Sequence, residues 1–149
     1  MPRLLFGHDK AVADFVANLA PLERPEFGPC VGIGVIDASG CLISGAVYHN
    51  YKERYGTVEF SGAAISPLAF SPGTVRAVLS FPFLNMAGIN RVWAQTSIRN
   101  LRAQKLLKGV GFHPEAVLNG FYGEGHHARF YRLLRSEWED RYPPLRKAT

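Results

Sequence analysis

Residues 91–112 read RVWAQTSIRNLRAQKLLKGVGF. Arg91 to Thr96 has the apolar and β-branched character of a strand. Asn100 is a helix-start residue, because its side chain accepts from the free N–H groups of a first turn. Ala103, Leu106, Leu107 and Val110 then share one face at helical spacing. Gly109 or Gly111 ends that helix with a backbone that tolerates the left-handed turn of a helix C-terminus. Phe112 begins the next apolar stretch, so the segment reads strand, helix, strand.

Working outward from this segment extends the pattern. Phe112 to Leu118 and Ala128 to Leu134 read as the last two strands, joined by the glycine-rich loop Gly120 to Gly125, with the closing strand ending near Trp138. Residues 142–149 read as a frayed tail. On the other side, Ser71 can cap a helix with Pro72 at its first position, where the missing N–H costs nothing. Val75, Val78, Leu79, Phe83 and Met86 continue at helical spacing, and Pro82 inside the run predicts a kink or break, at a cost of roughly 3 kcal/mol in a regular helix. Further back, residues 2–6 form a short strand. Val12, Phe15, Val16 and Leu19 mark a helix stopped by Pro21, and Glu23 to Pro29 is a loop. Val31 to Asp37, the turn Ala38-Ser39-Gly40 and Leu42 to Asn50 make a hairpin, and Gly56 to Ser66 is a third strand beside it. Hairpins followed by a βαβα unit give an α/β fold, a mixed sheet of about six or seven strands with helices on both faces.

Composition bounds the function. A chain of 149 residues fits a single domain over 1–149. With 47% hydrophobic and 19% charged residues it is neither disordered nor fibrous. No apolar run reaches the roughly 18 residues of a membrane span, and MPRLLFGHD turns polar too soon for a secretory signal. The expectation is a cytoplasmic protein with no membrane partner. Cys30 and Cys41 form neither a disulfide framework nor a metal site and are expected as reduced, partly buried thiols. His126 and His127, adjacent on an extended segment, point to opposite faces and cannot share a metal ion. The net charge is +5, but residues 1–74 hold five Lys/Arg against seven Asp/Glu, and residues 75–149 hold twelve against five. A basic second half asks for an anionic partner, either a polyphosphate cofactor or nucleic acid.

The series Asn100, Ala103, Gly111 and Phe112, with Pro114-Glu115 after it and the element order before it, resembles the GNAT superfamily of N-acetyltransferases over about residues 30–138. That resemblance implies the GNAT fold and an acetyl-CoA-dependent N-acyltransferase. It implies direct transfer to an amine of a protein or small molecule by a monomer or homodimer, without a metal. The family's phosphate pattern falls on Leu68, Ser71 and Gly73, and only Gly73 matches. The implied cradle is therefore Ser71 with the N–H groups of Gly73, Thr74 and Val75, assisted by Arg76, since a helix N-terminus favours anions. The pantetheine arm of the cofactor would pair like an added strand with Ser61 to Ile65, where Gly62, Ala63 and Ala64 allow close approach. Asn100 would reach it from the other side. Arg99, Arg102, Lys105 and Lys108 form a stripe on one side of their helix, facing either phosphates or solvent.

Transfer to an amine also needs a proton acceptor. Glu59 is the first candidate and His49 the second, with Ser61 on the same face as Glu59 by strand alternation. Glu59 read in isolation is a surface ion pair, and His49 a structural histidine. Backbone N–H groups near Ser61 to Ala63 could hold the oxyanion. The tyrosine that commonly serves as general acid falls at Leu107, leaving Ser97, Tyr122 and Tyr131 as replacements. Asp37, Glu53 and Glu59 hint at a cationic acceptor. Two rival functions stand beside the enzyme: a CoA-binding module without catalysis, favoured by Leu107 and the degenerate phosphate pattern, and a basic nucleic-acid binder. The nucleic-acid reading ranks last because no aromatic residues interleave with the basic stripe.

Overall fold

Strand alternation sorts the apolar residues onto two faces, and each face is covered by helices. The computed structural model describes residues 2–21, 23 and 25–144. Strands β1 (Arg3–Leu5), β2 (Cys30–Ile36), β3 (Leu42–Lys52) and β4 (Thr57–Ala64) pair in succession, all antiparallel. β5 (Arg91–Ser97) joins β4 in parallel, and β7 (Ala128–Leu134) inserts antiparallel between β5 and β6 (His113–Leu118). The seven strands form one mixed sheet in the order β1-β2-β3-β4-β5-β7-β6.

Helix α1 (Asp9–Asn18) covers one face, where its buried Val12 and Val16 meet Val47. It lies against glycines: a Cβ on Gly32 would stand 2.8 Å from Val12 Cβ, and one on Gly45 would stand 2.9 Å from Val16 Cγ2. Helices α2 (Pro72–Asn85), α3 (Leu101–Gly109) and α4 (Arg135–Arg141) contribute to the opposite core. There Val78, Leu79, Phe83, Leu107 and Trp138 pack over Tyr48, Val58, Phe60 and Val92.

Three expectations need correction. Pro82 does not break α2, which runs unbroken to Asn85. The proline removes the N–H that would bond the Val78 carbonyl, and the Tyr48 hydroxyl donates to that carbonyl instead, at 2.7 Å. The closing strand does not reach Trp138 either. β7 ends at Leu134, whose N–H bonds Glu137 Oε1 at 2.9 Å and starts α4. Trp138 stacks on Phe83, with ring centroids 4.7 Å apart, and its indole N–H donates to Ser80. The expected frayed tail begins too early, because Tyr142 is buried and its hydroxyl donates to the Val110 carbonyl at 2.7 Å. Residues 145–149 lie outside the described residues. Between β4 and α2, Pro67–Phe70 form a 3-10 turn, with Ser66 Oγ accepting from the Leu68 N–H.

One feature of the sheet opens a site. β4 and β5 pair only from Thr57/Arg91 to Glu59/Trp93, although β4 continues to Ala64 and β5 to Ser97. Beyond Glu59 the two strands diverge, and a gap enters the middle of the sheet.

Candidate active site

The gap has a polar edge of known sense. The Ile65 N–H bonds the Ile43 carbonyl at 2.9 Å. Alternation along the antiparallel β3–β4 pair then turns the backbone groups of Ser61 and Ala63 toward β3. The parallel pairing of Glu59 with Trp93 uses the Phe60 N–H, so the Phe60 carbonyl and the backbone groups of Gly62 and Ala64 face the gap, where Arg102 donates to the Ala64 carbonyl at 3.2 Å. Of the residues expected along the cofactor arm, Gly62 and Ala64 therefore offer free backbone, while Ala63 and Ile65 offer theirs to β3. The Gly62 N–H is the donor nearest Glu59 that faces the gap, which narrows the expected oxyanion donors from Ser61–Ala63 to this group.

At one end of the gap lies a cavity of about 400 Å³. Glu59, His49, Asn50, Ser61, Gln95 and Tyr122 line its polar wall, and Phe60, Ala94, Ala103, Leu106 and Leu107 line its apolar wall. Among the described residues its charged lining is Glu23, Glu26 and Glu59, with no Lys or Arg. Glu59 is only 2% exposed, so it is no surface ion pair. Asn50 donates to its Oε1 at 2.8 Å and Gln95 to its Oε2 at 3.0 Å. Burial raises its pKa, and the two amide bonds partly offset that rise. His49 lies 3.8 Å from Glu59 Oε2 and 3.0 Å from Ser61 Oγ, with Phe27 edge-on at 4.6 Å between ring centroids. Burial lowers its pKa to about 4. The imidazole is thus neutral at pH 7 and does not form an ion pair with Glu59. A group that protonates only near pH 4 is also the poorer base of the two.

Asn50 has φ 51 at a register shift of β3, a left-handed backbone that asparagine tolerates, and this swings its amide onto Glu59. Neither Asn50 nor Gln95 was expected from the sequence. Gln95 carried the weak signal of a polar side chain on the same strand face as Trp93; the bulge that aims Asn50 has no local signature. Glu23, within the expected loop, accepts from Thr96 Oγ1 at 2.6 Å, the Ser97 N–H at 3.0 Å and Asn100 Nδ2 at 3.2 Å. Asn100 caps α3 through Ala103 and lines the cavity.

The other end of the gap is a cleft of about 870 Å³ lined by Gly73, Arg76, Arg102, Lys105 and Arg141, with no carboxylate. Ser71 stands at the start of α2, but its hydroxyl donates to Thr74 Oγ1 rather than capping a backbone N–H. The Val75 N–H is committed to the Ser71 carbonyl at 3.0 Å. That removes Val75 from the expected donors and leaves Gly73 and Thr74, with open space around Gly73. The basic stripe divides. Arg102 and Lys105 face the cleft, Arg99 reaches His126 and the Gly125 carbonyl, and Lys108 sits in the last turn of α3. Arg141 was missed because α4 was read as part of a strand.

Among the candidate acids, Ser97 Oγ accepts from the Arg99 N–H and Tyr131 is fully buried away from the cavity wall, whereas Tyr122 lines it. Burial and the nearby Glu23 and Glu59 raise the Tyr122 pKa. Of the carboxylates expected to attract a cationic acceptor, only Glu59 belongs to the cavity; Asp37 caps its own turn and Glu53 lies in the β3–β4 turn. Cys30 is half-buried and Cys41 exposed, both free. His126 and His127 bond different partners, and among the described residues no cluster of three His, Cys, Asp or Glu could hold a metal.

No family model and no curated protein matches this chain. Solved structures do. Mutant forms of the spermidine/spermine N-acetyltransferase SpeG from Vibrio cholerae align over 95% of this chain and 99% of theirs, with a TM-score of 0.68 at 14% identity. Spermidine N-acetyltransferase from the same organism, in complex with CoA and spermine, aligns over 92% of this chain and 97% of its own, with a TM-score of 0.66 at 16% identity. A dodecameric form of that protein aligns with a TM-score of 0.66 at 15% identity, over 94% of this chain and 97% of its own. Likeness over nearly the whole of both chains at so low an identity shows a shared fold, and this chain therefore has the fold of the GNAT N-acetyltransferases.

Proposed function

We propose that this protein is an acetyl-CoA-dependent N-acetyltransferase that acts directly on a cationic amine. One observation carries the reading: among the described residues, a single gap in the sheet has four cations and no carboxylate lining one end, and three carboxylates and no cation lining the other. A polyphosphate thioester and an amine are a substrate pair that such a gap would orient head to tail. Arg76, Arg102, Lys105 and Arg141 would meet the phosphates together with the N–H groups of Gly73 and Thr74. The Phe60 carbonyl and the exposed backbone of Gly62 and Ala64 would pair with the amides of the pantetheine arm.

In this reading the ammonium gives one proton to Glu59 directly or through water, the freed nitrogen attacks the thioester carbonyl, a C–N bond forms, the C–S bond breaks, and the second nitrogen proton ends on the departed thiolate. The Gly62 N–H faces the developing oxyanion. The thiolate leaves without a dedicated acid, since thiols are far more acidic than alcohols. The acceptor class follows from the lining carboxylates, and the spermine bound by the structural relative is a small cation of that kind. A second reading keeps the cofactor site and drops catalysis, and Leu107 at the usual tyrosine position favours it.

Thermal melts with acetyl-CoA test the cofactor site, because a ligand of the folded state alone stabilises it by mass action. Free-thiol release across a panel of mono-, di- and polyamines tests the activity. No melting shift at millimolar acetyl-CoA would remove both readings. A shift without thiol release from any amine would leave only the binding module.

A further inference from the structure

Tyr122 sits in the glycine-rich loop between β6 and β7, far in sequence from Glu59, yet a hydrogen-bond chain joins them. The Tyr122 hydroxyl donates to Gln95 Oε1 at 2.9 Å, and Gln95 Nε2 donates to Glu59 Oε2 at 3.0 Å. The loop that carries Tyr122 is itself held in place. The Gly120 N–H donates to His127 Nδ1 at 2.9 Å, and Arg99 reaches the Gly125 carbonyl. Phe121 packs edge-on against both Tyr122 and Phe130, with centroids 5.1 Å apart in each pair.

We propose that Tyr122 is a positioning residue for the general base: its hydroxyl fixes the Gln95 side chain so that the amide N–H, and not the amide oxygen, faces the Glu59 carboxylate. An amide beside a carboxyl group has two useful orientations. With its N–H toward Glu59 it favours the carboxylate; with its oxygen toward Glu59 it accepts from the protonated acid. Turning Gln95 around would deprive the Tyr122 O–H of its acceptor in a half-buried place, so the tyrosine selects the first orientation. The same O–H polarises the amide and strengthens its N–H as a donor, as successive hydrogen bonds in a chain do. Both effects hold Glu59 ionised.

The other groups around Glu59 do not supply this control. From β3, Asn50 donates to Oε1, and His49 at 3.8 Å is neutral at pH 7. The loop after α1 brings Glu23 and Glu26 into the same cavity, and neither carboxyl donates a hydrogen bond to Glu59. α1 adds only Val16 and its following Leu19 and Ala20, all apolar. Among the described residues no Lys or Arg lines the cavity; the donors on Glu59 are the two amides, which favour its charged form, and Tyr122 governs one of them.

The proposal rests on Glu59 as the base only for its kinetic consequence, so the decisive measurement does not use turnover. Carboxyl-carbon NMR of the full chain labelled at glutamate follows the Glu59 titration, assigned by its disappearance in Glu59→Gln. Tyr122→Phe keeps the ring packed on Phe121 and should raise the Glu59 midpoint by about half to one pH unit. Gln95→Leu should raise it further, and the double variant should match Gln95→Leu alone, because Tyr122 acts through Gln95. An unchanged midpoint in Tyr122→Phe, or shifts that add in the double variant, overturns the proposal. With an amine that turns over, the acidic limb of kcat/KM should move up by the same interval. If the midpoint moves but no amine releases thiol, the positioning role stands and the enzyme reading falls.

Discussion

Replacing Tyr48 by phenylalanine tests how a proline survives inside α2. The ring stays, so its contacts with Phe60 and Phe81, at centroid distances of 5.6 and 6.0 Å, are kept. What is lost is the donor to the Val78 carbonyl, which Pro82 has left without its helical N–H. Tyr48 and Pro82 are essentially sealed and Val78 is 8% exposed, so water does not readily replace the hydroxyl. A buried carbonyl left unpaired costs about 1–3 kcal/mol. At about 2–4 °C per kcal/mol for a chain of this size, the melting temperature should fall by about 2–12 °C. Pro82→Ala returns the N–H to the helix. In that background Tyr48→Phe should cost half as much or less, and the coupling is read by thermal or urea melts of the four proteins in the cycle. An equal cost in both backgrounds would show that the hydroxyl does not stand in for the missing helical bond.

Three further outcomes are expected. Glu59→Gln should lower turnover about 10²–10⁴-fold with acetyl-CoA affinity unchanged, and lose less at high pH where free amine abounds; wild-type turnover in Glu59→Gln beside a crippled His49→Ala would give the base role to the histidine. Arg102→Ala with Lys105→Ala should weaken acetyl-CoA binding about tenfold or more and flatten its salt dependence, while wild-type DNA binding stays weak and vanishes by moderate salt; unchanged cofactor affinity by calorimetry refutes the cleft assignment. His49, whose folded pKa of about 4 lies below its ordinary 6.5, makes the unfolded chain the better proton binder between those values. Its contribution of about 3 kcal/mol is therefore present above pH 6.5 and lost as pH falls toward 4; urea melts across that range should show a slope that His49→Gln reduces, and an unchanged slope refutes it.

The fold was legible where local pattern and tertiary packing agree. The 91–112 segment is such a place: strand, cap, apolar helix face and glycine stop point the same way, and β5, α3 and the start of β6 follow. The reading failed where a distant partner decides the outcome. Pro82 stays helical because a hydroxyl thirty residues from Val78 in sequence bonds the carbonyl it leaves free, and α4 forms on a β-like run because Glu137 caps it and Trp138 finds Phe83 and Ser80. The site divides in the same way. Glu59 could be named from alternation along β4 and His49 as a lone histidine on β3, whereas Asn50 depends on a bulge, Glu23 on a loop crossing to β5, and Gln95 and Tyr122 on contacts across the gap. The backbone donors were misnamed in part because alternation tells which residues share a face, not which hydrogen-bonding edge is left unpaired.

That no cation lines the Glu59 cavity among the described residues has a chemical meaning of its own. A carboxylate only 2% exposed would ordinarily be expected beside Arg or Lys. Such a partner would hold Glu59 ionised but would lower its basicity and repel an ammonium substrate. Two amide donors instead stabilise the carboxylate partly, leaving its pKa raised and its charge unneutralised. On the proposed reading, the missing countercharge is the substrate itself. An ammonium entering the cavity pairs with Glu59, and attraction in the low dielectric favours the ion pair until the thioester is in reach. Passing the proton to Glu59 then frees the nitrogen lone pair and discharges both partners at once. Transfer therefore becomes easier the drier the cavity is, because losing water disfavours both charged forms and the neutral pair has no charge left to desolvate.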